Sequence, residues 1–256
     1  MGKAVAVSTV ARGGNALIVS RSKEKLEKAV LEIRSKAMEY QPKMPIGEIK
    51  TAILDVTDED AIQKFATEKM DDVARNGYYY DALVFSAAGK APHGPITELS
   101  TSETRELFET KFWGAYNCAK YISPCIKDKG SIVFVSGVLN RRPGINCSPL
   151  ASTNGALEGL TRALALELGD RLRVNCLSPG FCETERFDHM DEEKKKGMLK
   201  NTADSLPLKR VGQPSDMGEA IYHLLESKFV TGVVLDCDGG HHIRQYANKS
   251  SDPMRK

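Results

Sequence analysis

Residues 131–137 read Ser-Ile-Val-Phe-Val-Ser-Gly, a short apolar run rich in β-branched residues and closed by glycine. Its apolar residues are consecutive and do not alternate with polar ones, which is typical of a parallel strand covered on both faces. Amphipathic stretches flank the run at 101–127 and 151–168. A buried strand between two helices predicts a parallel α/β sheet.

The alternation of short apolar runs and amphipathic runs extends in both directions along the chain. Further helices are predicted at 23–38, 59–74 and 215–225. Strands are predicted at 4–7, 16–20, 49–54, 82–86, 131–136, 172–177 and 233–236. No repeat, low-complexity linker or change of composition divides the chain, so we expect one doubly wound α/β domain over 1–245 and a polar, frayed tail at 246–256.

The composition excludes several classes of protein. The chain has 256 residues, of which 41% are hydrophobic and 27% charged, so a sizeable core is expected and disorder is excluded. The net charge of +2 gives no basic surface for nucleic acid or an anionic membrane. No apolar run approaches the roughly 18 residues of a membrane span, and the N-terminus lacks a signal-peptide pattern. The six cysteines form no CxxC pair, so we expect a cytoplasmic protein with reduced thiols.

One connection departs from the pattern. Seven residues, 9–15, separate the predicted strands at 4–7 and 16–20, whereas a parallel crossover needs about a dozen or more and normally includes a helix. Three explanations are open: the two strands form a hairpin turned at Gly13-Gly14, one strand leaves the sheet, or the chain lacks a segment that its parent has.

Five segments, in order and at matching spacing, resemble the short-chain dehydrogenase/reductase family over 12–242. They are NALIVSRS at 15–22, LDVT at 54–57, SAAG at 86–89, NCLSPG at 175–180 with Thr184, and PLKRVGQP at 207–214 with Thr231-Gly232 and DGG at 238–240. The resemblance implies a Rossmann-type parallel sheet of seven strands in the order 3-2-1-4-5-6-7. It also implies a dinucleotide site at the carboxyl ends of the strands.

The phosphate-binding loop of that family has no counterpart here. The family's TGxxxGxG glycines let the backbone approach the pyrophosphate at a helix N-terminus, whereas Ser8-Thr9 leads directly into 10–14, which resembles the end of the family's first helix. We therefore expect the glycine loop and most of that helix to be absent. The first βαβ crossover is then truncated, residues 1–20 are atypical, and one face of the sheet exposes apolar surface.

The family's catalytic positions are also replaced. By resemblance, Leu150 stands at the general-acid tyrosine, Asn154 at the lysine four residues later, Gly137 at the serine and Lys111 at the asparagine. Leucine has no proton to exchange, and a neutral asparagine cannot lower a neighbour's pKa by charge. A positioned acid or base contributes about 10²–10⁴ in rate. Only Lys111 and Ser136 remain as weak catalytic candidates, and Ser136 points to the opposite face from its neighbour Gly137.

Part of a cofactor site is retained. Arg21 follows the family's second strand, where a basic residue pairs the 2′-phosphate of NADP(H), and Asp55 is placed to accept a hydrogen bond from adenine. The resemblance assigns ribose and nicotinamide contacts to Ala87, Ala88, Gly89, Pro179 and Gly180. The cofactor is therefore NADP(H) or none.

No metal site is expected. His241 and His242 are adjacent and cannot share a helix face, and the sequence places no cysteine or carboxylate at ligand spacing from them.

Two functions follow from these residues. The first is a catalytically impaired member of the family, a pseudoenzyme or truncated form, which binds a small-molecule ligand or a partner and forms a homodimer or homotetramer through its long helices. The alternative is a non-standard NADP(H)-dependent oxidoreductase that acts on a small carbonyl or alcohol, with Lys111 in place of the missing relay. The loop at 181–206 carries no signature of a substrate.

Overall fold

The computed structural model describes residues 1–40, 45–188 and 190–243, so the predicted tail at 246–256 lies outside the described residues. Within them the chain is a Rossmann-like α/β protein, as the sequence predicts. The strands are β1 Ala16–Ser20, β2 Ile49–Ile53, β3 Tyr80–Phe85, β4 Ile126–Val135, β5 Arg173–Pro179 and β6 Val234–Cys237. Every pair is parallel.

The helices alternate with the strands. They are α1 Gly2–Val10, α2 Lys23–Tyr40, α3 Glu59–Asn76, α4 Thr101–Phe108, α5 Gly114–Ile122, α6 Ser148–Glu167, α7 Glu192–Ser205 and α8 Pro214–Glu226. A π-helical turn, Glu109–Trp113, joins α4 to α5, so the helix predicted at 101–127 bends in its middle and ends before β4. Single 3₁₀ turns lie at Ser123–Cys125, Val138–Asn140 and Glu185–Phe187.

The strands form two sheets and not the single sheet of seven strands that the resemblance implied. Among the described residues, β1 pairs with β2, and the other four strands form a second sheet in the order β3-β4-β5-β6. Both sheets run in the order that the family predicts, but no strand joins β1 to β3.

The strand predicted at 4–7 is wrong, because these residues belong to α1. The prediction relied on a short apolar run, which cannot be distinguished from a buried helix by periodicity alone. Neighbours lie on several sides of α1: it packs against α2, α8 and β1. Ala4, Val5 and Ala6 are therefore all buried although they are consecutive, and the helix shows no amphipathic stripe of the kind that would identify it.

This correction explains the short connection before β1. Residues 9–15 end a helix and turn into a strand, so neither a hairpin nor a departing strand is needed. Gly13 takes the left-handed backbone conformation (φ +80°) that such a turn requires. The expectation that most of the first crossover helix is absent is wrong, because α1 occupies Gly2–Val10 and leads directly into β1. The first crossover is nevertheless truncated, because no strand of the described residues lies between β1 and β3.

Helices cover both sides of the four-stranded sheet. On one side α8 packs on β4, β5 and β6, and α1 lies between α8 and α2. On the other side α3, α5 and α6 enclose the largest core, which contains Ile62, Ala115, Phe134 and Leu157. Since parallel strands have their carboxyl ends at one edge of the sheet, the turns after β1 to β6 can contribute side chains to a shared site.

Candidate functional site

Lys111 is a buried charged residue near the carboxyl end of β4. It lies on the π-helical turn between α4 and α5, a feature that is frequent at functional sites. Only 5% of Lys111 is exposed. Its Nζ donates a hydrogen bond to the carbonyl oxygen of Ser136, directly after β4, at 3.1 Å. The structure thus brings together the two catalytic candidates that the sequence retained.

Ser136 continues this contact into a buried polar network. Its Oγ donates to Oε1 of Glu158 on α6 at 3.1 Å, and both residues are buried. The guanidinium of Arg141 lies 3.5 Å from the same Oε1 and also pairs through both nitrogens with the carboxylate of Asp236 on β6. Buried charges are unfavourable unless they are paired. Each charge in this chain of contacts has a neighbour of opposite charge or a polar partner.

Two of the substituted positions pack directly against each other. A Cβ added at Gly137 would lie 2.9 Å from Nδ2 of Asn154, too close for an unaltered neighbour. Asn154 is buried on α6, and its Oδ1 accepts no hydrogen bond from the described residues. Leu150 is half-buried one helical turn earlier. Asn154 therefore occupies the space that a side chain at position 137 would need.

The two residues that the sequence predicts for the adenosine end of a cofactor lie next to each other. Arg21 and Asp55, which follow β1 and β2, form an ion pair of 3.5 Å, and 70% of the Arg21 side chain is exposed. The backbone N–H and the hydroxyl of Thr57 donate to Asp55. These hydrogen bonds, with the nearby Arg21, lower the pKa of the Asp55 carboxyl. The guanidinium is accessible to a phosphate, and Asp55 stays ionised to well below neutral pH.

Two of the remaining predicted cofactor contacts, Gly180 and Gly89, also have packing reasons to be glycine. A Cβ on Gly180 would lie 2.6 Å from Cα of Asp238, so the close approach of two backbones requires a glycine there. A Cβ on Gly89 would meet Oγ1 of Thr110 at 3.3 Å. Pro179 is buried at the end of β5, beside Cys237. Ala87 is half-buried, and Ala88 is exposed near the end of β3.

The start of α1 lies against the carboxyl end of β3. A Cβ on Gly2 would lie 2.8 Å from Oγ of Ser86, and burial lowers the pKa of the Met1 amino group. Helix N-termini attract phosphate because their first N–H groups are unpaired, but the described residues include no glycine-rich loop beside this one. The residues present therefore fit the adenosine and 2′-phosphate end of NADP(H), while the pyrophosphate has only the first turn of α1.

Sequence reasoning was wrong about the surroundings of His242. Its Nδ1 lies 2.7 Å from Oδ2 of Asp238, and its Nε2 lies 3.8 Å from Oδ2 of Asp236. The three residues offer ligand atoms within 4.8 Å of one another, so carboxylates do lie at ligand distance from a histidine here. Arg141 already neutralises Asp236, and two backbone N–H groups donate to Asp238. The hydrogen bonds and ion pairs among these side chains account for the cluster without an ion.

Sequence reasoning also missed Glu158, Arg141 and Asp236. One signal was present: Glu158 is a single acid in the largely apolar segment 155–166, where a buried charge needs a partner. The identity of that partner depends on tertiary contacts. Among the described residues, no helix is both long enough and apolar enough to cross a membrane.

Comparison with known proteins agrees with this geometry. A family model described as enoyl-(acyl carrier protein) reductase matches residues 1–242. A short-chain dehydrogenase/reductase, ATR9, from Stachybotrys chlorohalonatus is 30% identical over 95% of this chain and 93% of its own length. A 3-oxoacyl-[acyl-carrier-protein] reductase, FabG, from Chlamydia muridarum is 30% identical over 76% of this chain and 77% of its own length.

Solved structures give the same result. The structure titled ElxO with NADP bound has a TM-score of 0.78 and 28% identity, and the match covers 95% of this chain and 94% of that one. A small-chain dehydrogenase in complex with NADPH has a TM-score of 0.71 and 28% identity, over 89% of this chain and 98% of that one. The family model and the relatives show that the chain belongs to the short-chain dehydrogenase/reductase family of oxidoreductases.

Proposed function

We propose that this protein is an NADP(H)-binding member of its family that acts through binding and in which the conventional proton transfer is impaired. The observation that carries the proposal is the contact between Gly137 and Asn154. Because the Asn154 amide occupies the space beside Gly137, the two substitutions depend on each other. The pair forms a packed, uncharged arrangement where the family places a serine and a lysine.

The chemistry of the neighbouring side chains supports this proposal. Reduction of a carbonyl needs a group that gives a proton to the oxygen, and oxidation of an alcohol needs one that takes it. Leu150 can do neither. Asn154 carries no charge that would shift the pKa of a neighbouring hydroxyl. The oxidoreductase fold is retained, and its usual acid–base pair is not.

The adenosine end supports binding of NADP(H). Arg21 would pair the 2′-phosphate, and Asp55 would accept a hydrogen bond from the adenine amino group. NADP(H), when bound, supplies or accepts a hydride. Two related structures hold NADPH and NADP, and that chemistry is proposed for this chain by analogy.

Calorimetric titration tests the binding proposal. We expect saturable binding of NADPH that is stronger than binding of NADH, since only NADPH has the 2′-phosphate. Arg21→Ala should weaken NADPH binding by about tenfold, the loss of roughly one charged hydrogen bond, and leave NADH unaffected. Lys23→Ala is a matched control, because Lys23 is a nearby exposed cation with its own partner, Glu27. Absence of NADPH binding at millimolar concentration would refute the proposal.

Restoring the family residues tests the impairment. The triple variant Gly137→Ser, Leu150→Tyr, Asn154→Lys should reduce generic aldehydes and ketones with NADPH at a rate about 10²–10⁴ above that of the wild type. Gly137→Ser alone should lower the melting temperature, because the new side chain meets Asn154 and the φ of +157° at this position disfavours any side chain. Adding Asn154→Ala should recover only the part of the loss that comes from the contact with Asn154. Equal turnover by the wild type and the triple variant would contradict the impairment.

A second function, an oxidoreductase in which Lys111 holds the proton, is favoured by one observation. A buried ammonium group is unfavourable unless it is paired, and Lys111 is buried near the carboxyl end of β4 with its Nζ in contact with the carbonyl oxygen of Ser136. If this function is correct, the wild type turns over a small carbonyl or alcohol. Lys111→Met would then abolish turnover, while NADPH binding measured by calorimetry persists. A wild type without turnover in such a screen would exclude it.

We further propose that the protein is a homodimer or homotetramer. An aromatic cluster of Phe108, Phe112, Trp113 and Tyr116 lies along α4, the π turn and α5, and its Trp113 and Tyr116 side chains are exposed. Exposed apolar clusters of this kind mark contact surfaces. Light scattering should show a dimer or larger species for the wild type and a smaller species for Trp113→Glu. A monomeric wild type would contradict the proposal.

A further inference from the structure

Two asparagines on facing segments each pack beside a glycine of the other segment. Asn154 of α6 lies beside Gly137, whose Cβ position is 2.9 Å from Nδ2 of Asn154. In the same way, Cβ of Asn140, on the 3₁₀ turn after β4, lies 3.8 Å from the Cβ position of Gly155 on α6. The turn and the helix thus bring two side-chain amides together near the carboxyl end of β4.

Both amide oxygens are buried acceptors. Oδ1 of Asn140 and Oδ1 of Asn154 accept no hydrogen bond from any part of the chain that the structure describes. Asn154 as a whole is only 1% exposed. A buried oxygen without a donor is unfavourable, so a group that supplies the donor recovers that free energy. Two such oxygens at one place therefore define a site for a ligand that donates hydrogen bonds.

The charges near the two amides favour a neutral donor. Lys111 and Glu158 are both buried, and Ser136 contacts each of them, through its carbonyl oxygen and its Oγ respectively. Ser136 directly precedes Gly137, and Glu158 lies one helical turn after Asn154. A cationic ligand here would be opposed by the ammonium group, and an anionic ligand by the carboxylate. A hydroxyl group donates a hydrogen bond and carries no charge.

Apolar side chains border the amides. Leu139 directly precedes Asn140, Leu150 lies one helical turn before Asn154, and both leucines are half-buried. Ile145 lies farther out, on the loop that leads into α6, and is 87% exposed. A binding site of this kind is mostly apolar, with a few polar groups that orient the ligand. These surroundings fit a ligand that is apolar apart from its hydroxyl group.

We propose that the Asn140–Asn154 pair binds the hydroxyl group of an apolar alcohol. This inference rests on the proposed function, in which the protein acts through binding, and it names the chemical class of the ligand. Gly137 has no side chain and Leu150 has an apolar one, so neither offers a side-chain donor to the carbonyl oxygen of a ketone. The site therefore takes the alcohol and discriminates against the corresponding ketone.

A pair of ligands with one carbon skeleton tests the proposal on the unmodified protein. The probes are 1-phenylethanol and its methyl ether, which lacks the O–H group, and NADPH can reduce neither. Calorimetry with saturating NADPH should show the alcohol binding about tenfold more tightly than the ether, the loss of one hydrogen bond to a buried acceptor. Acetophenone, titrated with NADP⁺ so that it is not reduced, should bind as weakly as the ether. Equal binding of alcohol and ether, or no binding of the alcohol at millimolar concentration, would overturn the proposal.

A pair of variants locates the hydroxyl group. Asn154→Leu removes the amide and keeps a side chain of similar size, so the preference for the alcohol over the ether should disappear. Asn76→Leu is the matched control, because Asn76 is an exposed amide at the end of α3 that already donates to Asp72, and it should keep the full preference. Asn140→Leu repeats the test at the other amide. Circular dichroism confirms that the variants fold, and an unchanged preference in both Asn154→Leu and Asn140→Leu would overturn the assignment.

The inference and the proposed function can fail separately. The cofactor proposal depends on Arg21 and Asp55, which the asparagine pair does not involve. The alcohol and the ether are therefore also titrated without NADPH. If NADPH binds and the preference for the alcohol is absent, the inference is wrong and the proposed function stands. If NADPH does not bind and the cofactor-free protein prefers the alcohol, the proposed cofactor is wrong and the asparagine site stands.

Discussion

The two sheets contain similar residues and reach different degrees of burial. The last six residues of β4 and the last six of β5 are buried, whereas Leu17 and Val19 of β1 and Ile53 of β2 are exposed. Strands β4 and β5 have paired strands on both edges and helices on both faces. Strands β1 and β2 have a helix layer on one face only. An apolar composition allows a strand to be buried. Whether it is buried depends on paired strands at both edges and on helices packed against both faces of the sheet.

The two sheets are held together mainly through α1. It packs on β1 and makes its most extensive helix contact with α8, which covers the four-stranded sheet. A Cβ on Gly218 would lie 2.7 Å from the carbonyl oxygen of Ala4, so α8 needs a glycine where the two helices touch. Arg12 adds an ion pair through both of its terminal nitrogens to Glu219. Interactions along α1 therefore couple the stabilities of the two sheets.

The largest expected effect on stability comes from a substitution in the buried strand β4, compared with one in the exposed strand β1. Phe134→Ala removes a fully buried ring from β4 and should lower the free energy of unfolding by about 3–5 kcal/mol. Val19→Ala removes a partly exposed side chain from β1 and should cost less than about 1 kcal/mol. Urea denaturation followed by circular dichroism measures both. Similar losses for the two variants would mean that the open face of β1 is covered in solution.

A glycine in the smaller sheet provides the next test. A Cβ on Gly47 would lie 1.8 Å from the carbonyl oxygen of Gly14, where the turns before β1 and β2 meet. Gly47→Ala must move backbone, so we expect a loss of about 1–3 kcal/mol. The loss should be concentrated in β1 and β2, with faster hydrogen exchange there than in β4 and β5.

The control for Gly47→Ala lies on a helix. Gly197 of α7 has open space at its Cβ position, and Gly197→Ala should stabilise the protein by about 0.5–1 kcal/mol. If Gly47→Ala accelerates exchange equally in all strands, the two sheets unfold as one unit and the contrast between them does not extend to stability.

The sequence predicts most of the strands and helices in both sheets but not the helix at the start of the chain. The strand at 16–20 was predicted to the residue, and the helix at 59–74 to within two residues. The segment at 4–7 failed because contacts on several sides remove the periodicity on which such predictions depend. The sequence names Lys111 and Ser136 as separate candidates, and the contact between them comes from tertiary packing. The contacts of Glu158 with Arg141 and of Arg141 with Asp236 join distant segments, and no local pattern predicts them.

The smallest expected effect on stability comes from the ion pair between Arg12, just after α1, and Glu219 of α8. Burial raises the pKa of Glu219, but hydrogen bonds from Arg12 and Ser8 outweigh burial and lower it. Because the carboxylate is favoured more in the folded state than in the unfolded one, its contribution is complete above the ordinary glutamate pKa of about 4.3. The contribution is lost as the pH falls through the lowered value. Glu219 is partly exposed, so solvent screening limits the contribution to about 0.5–1 kcal/mol.

Glu219→Gln should therefore be less stable than the wild type by that amount at pH 7, and the difference should shrink toward zero below about pH 4. Urea denaturation at a series of pH values measures it. The control is Glu226→Gln, which changes an acid on the same helix that forms no described ion pair with α1. A difference that is independent of pH would mean that Arg12 holds the neutral amide as well as the carboxylate. The link between α1 and α8 would then depend on hydrogen bonding and on the stacking of Arg12 against Tyr40 and Tyr222, and not on charge.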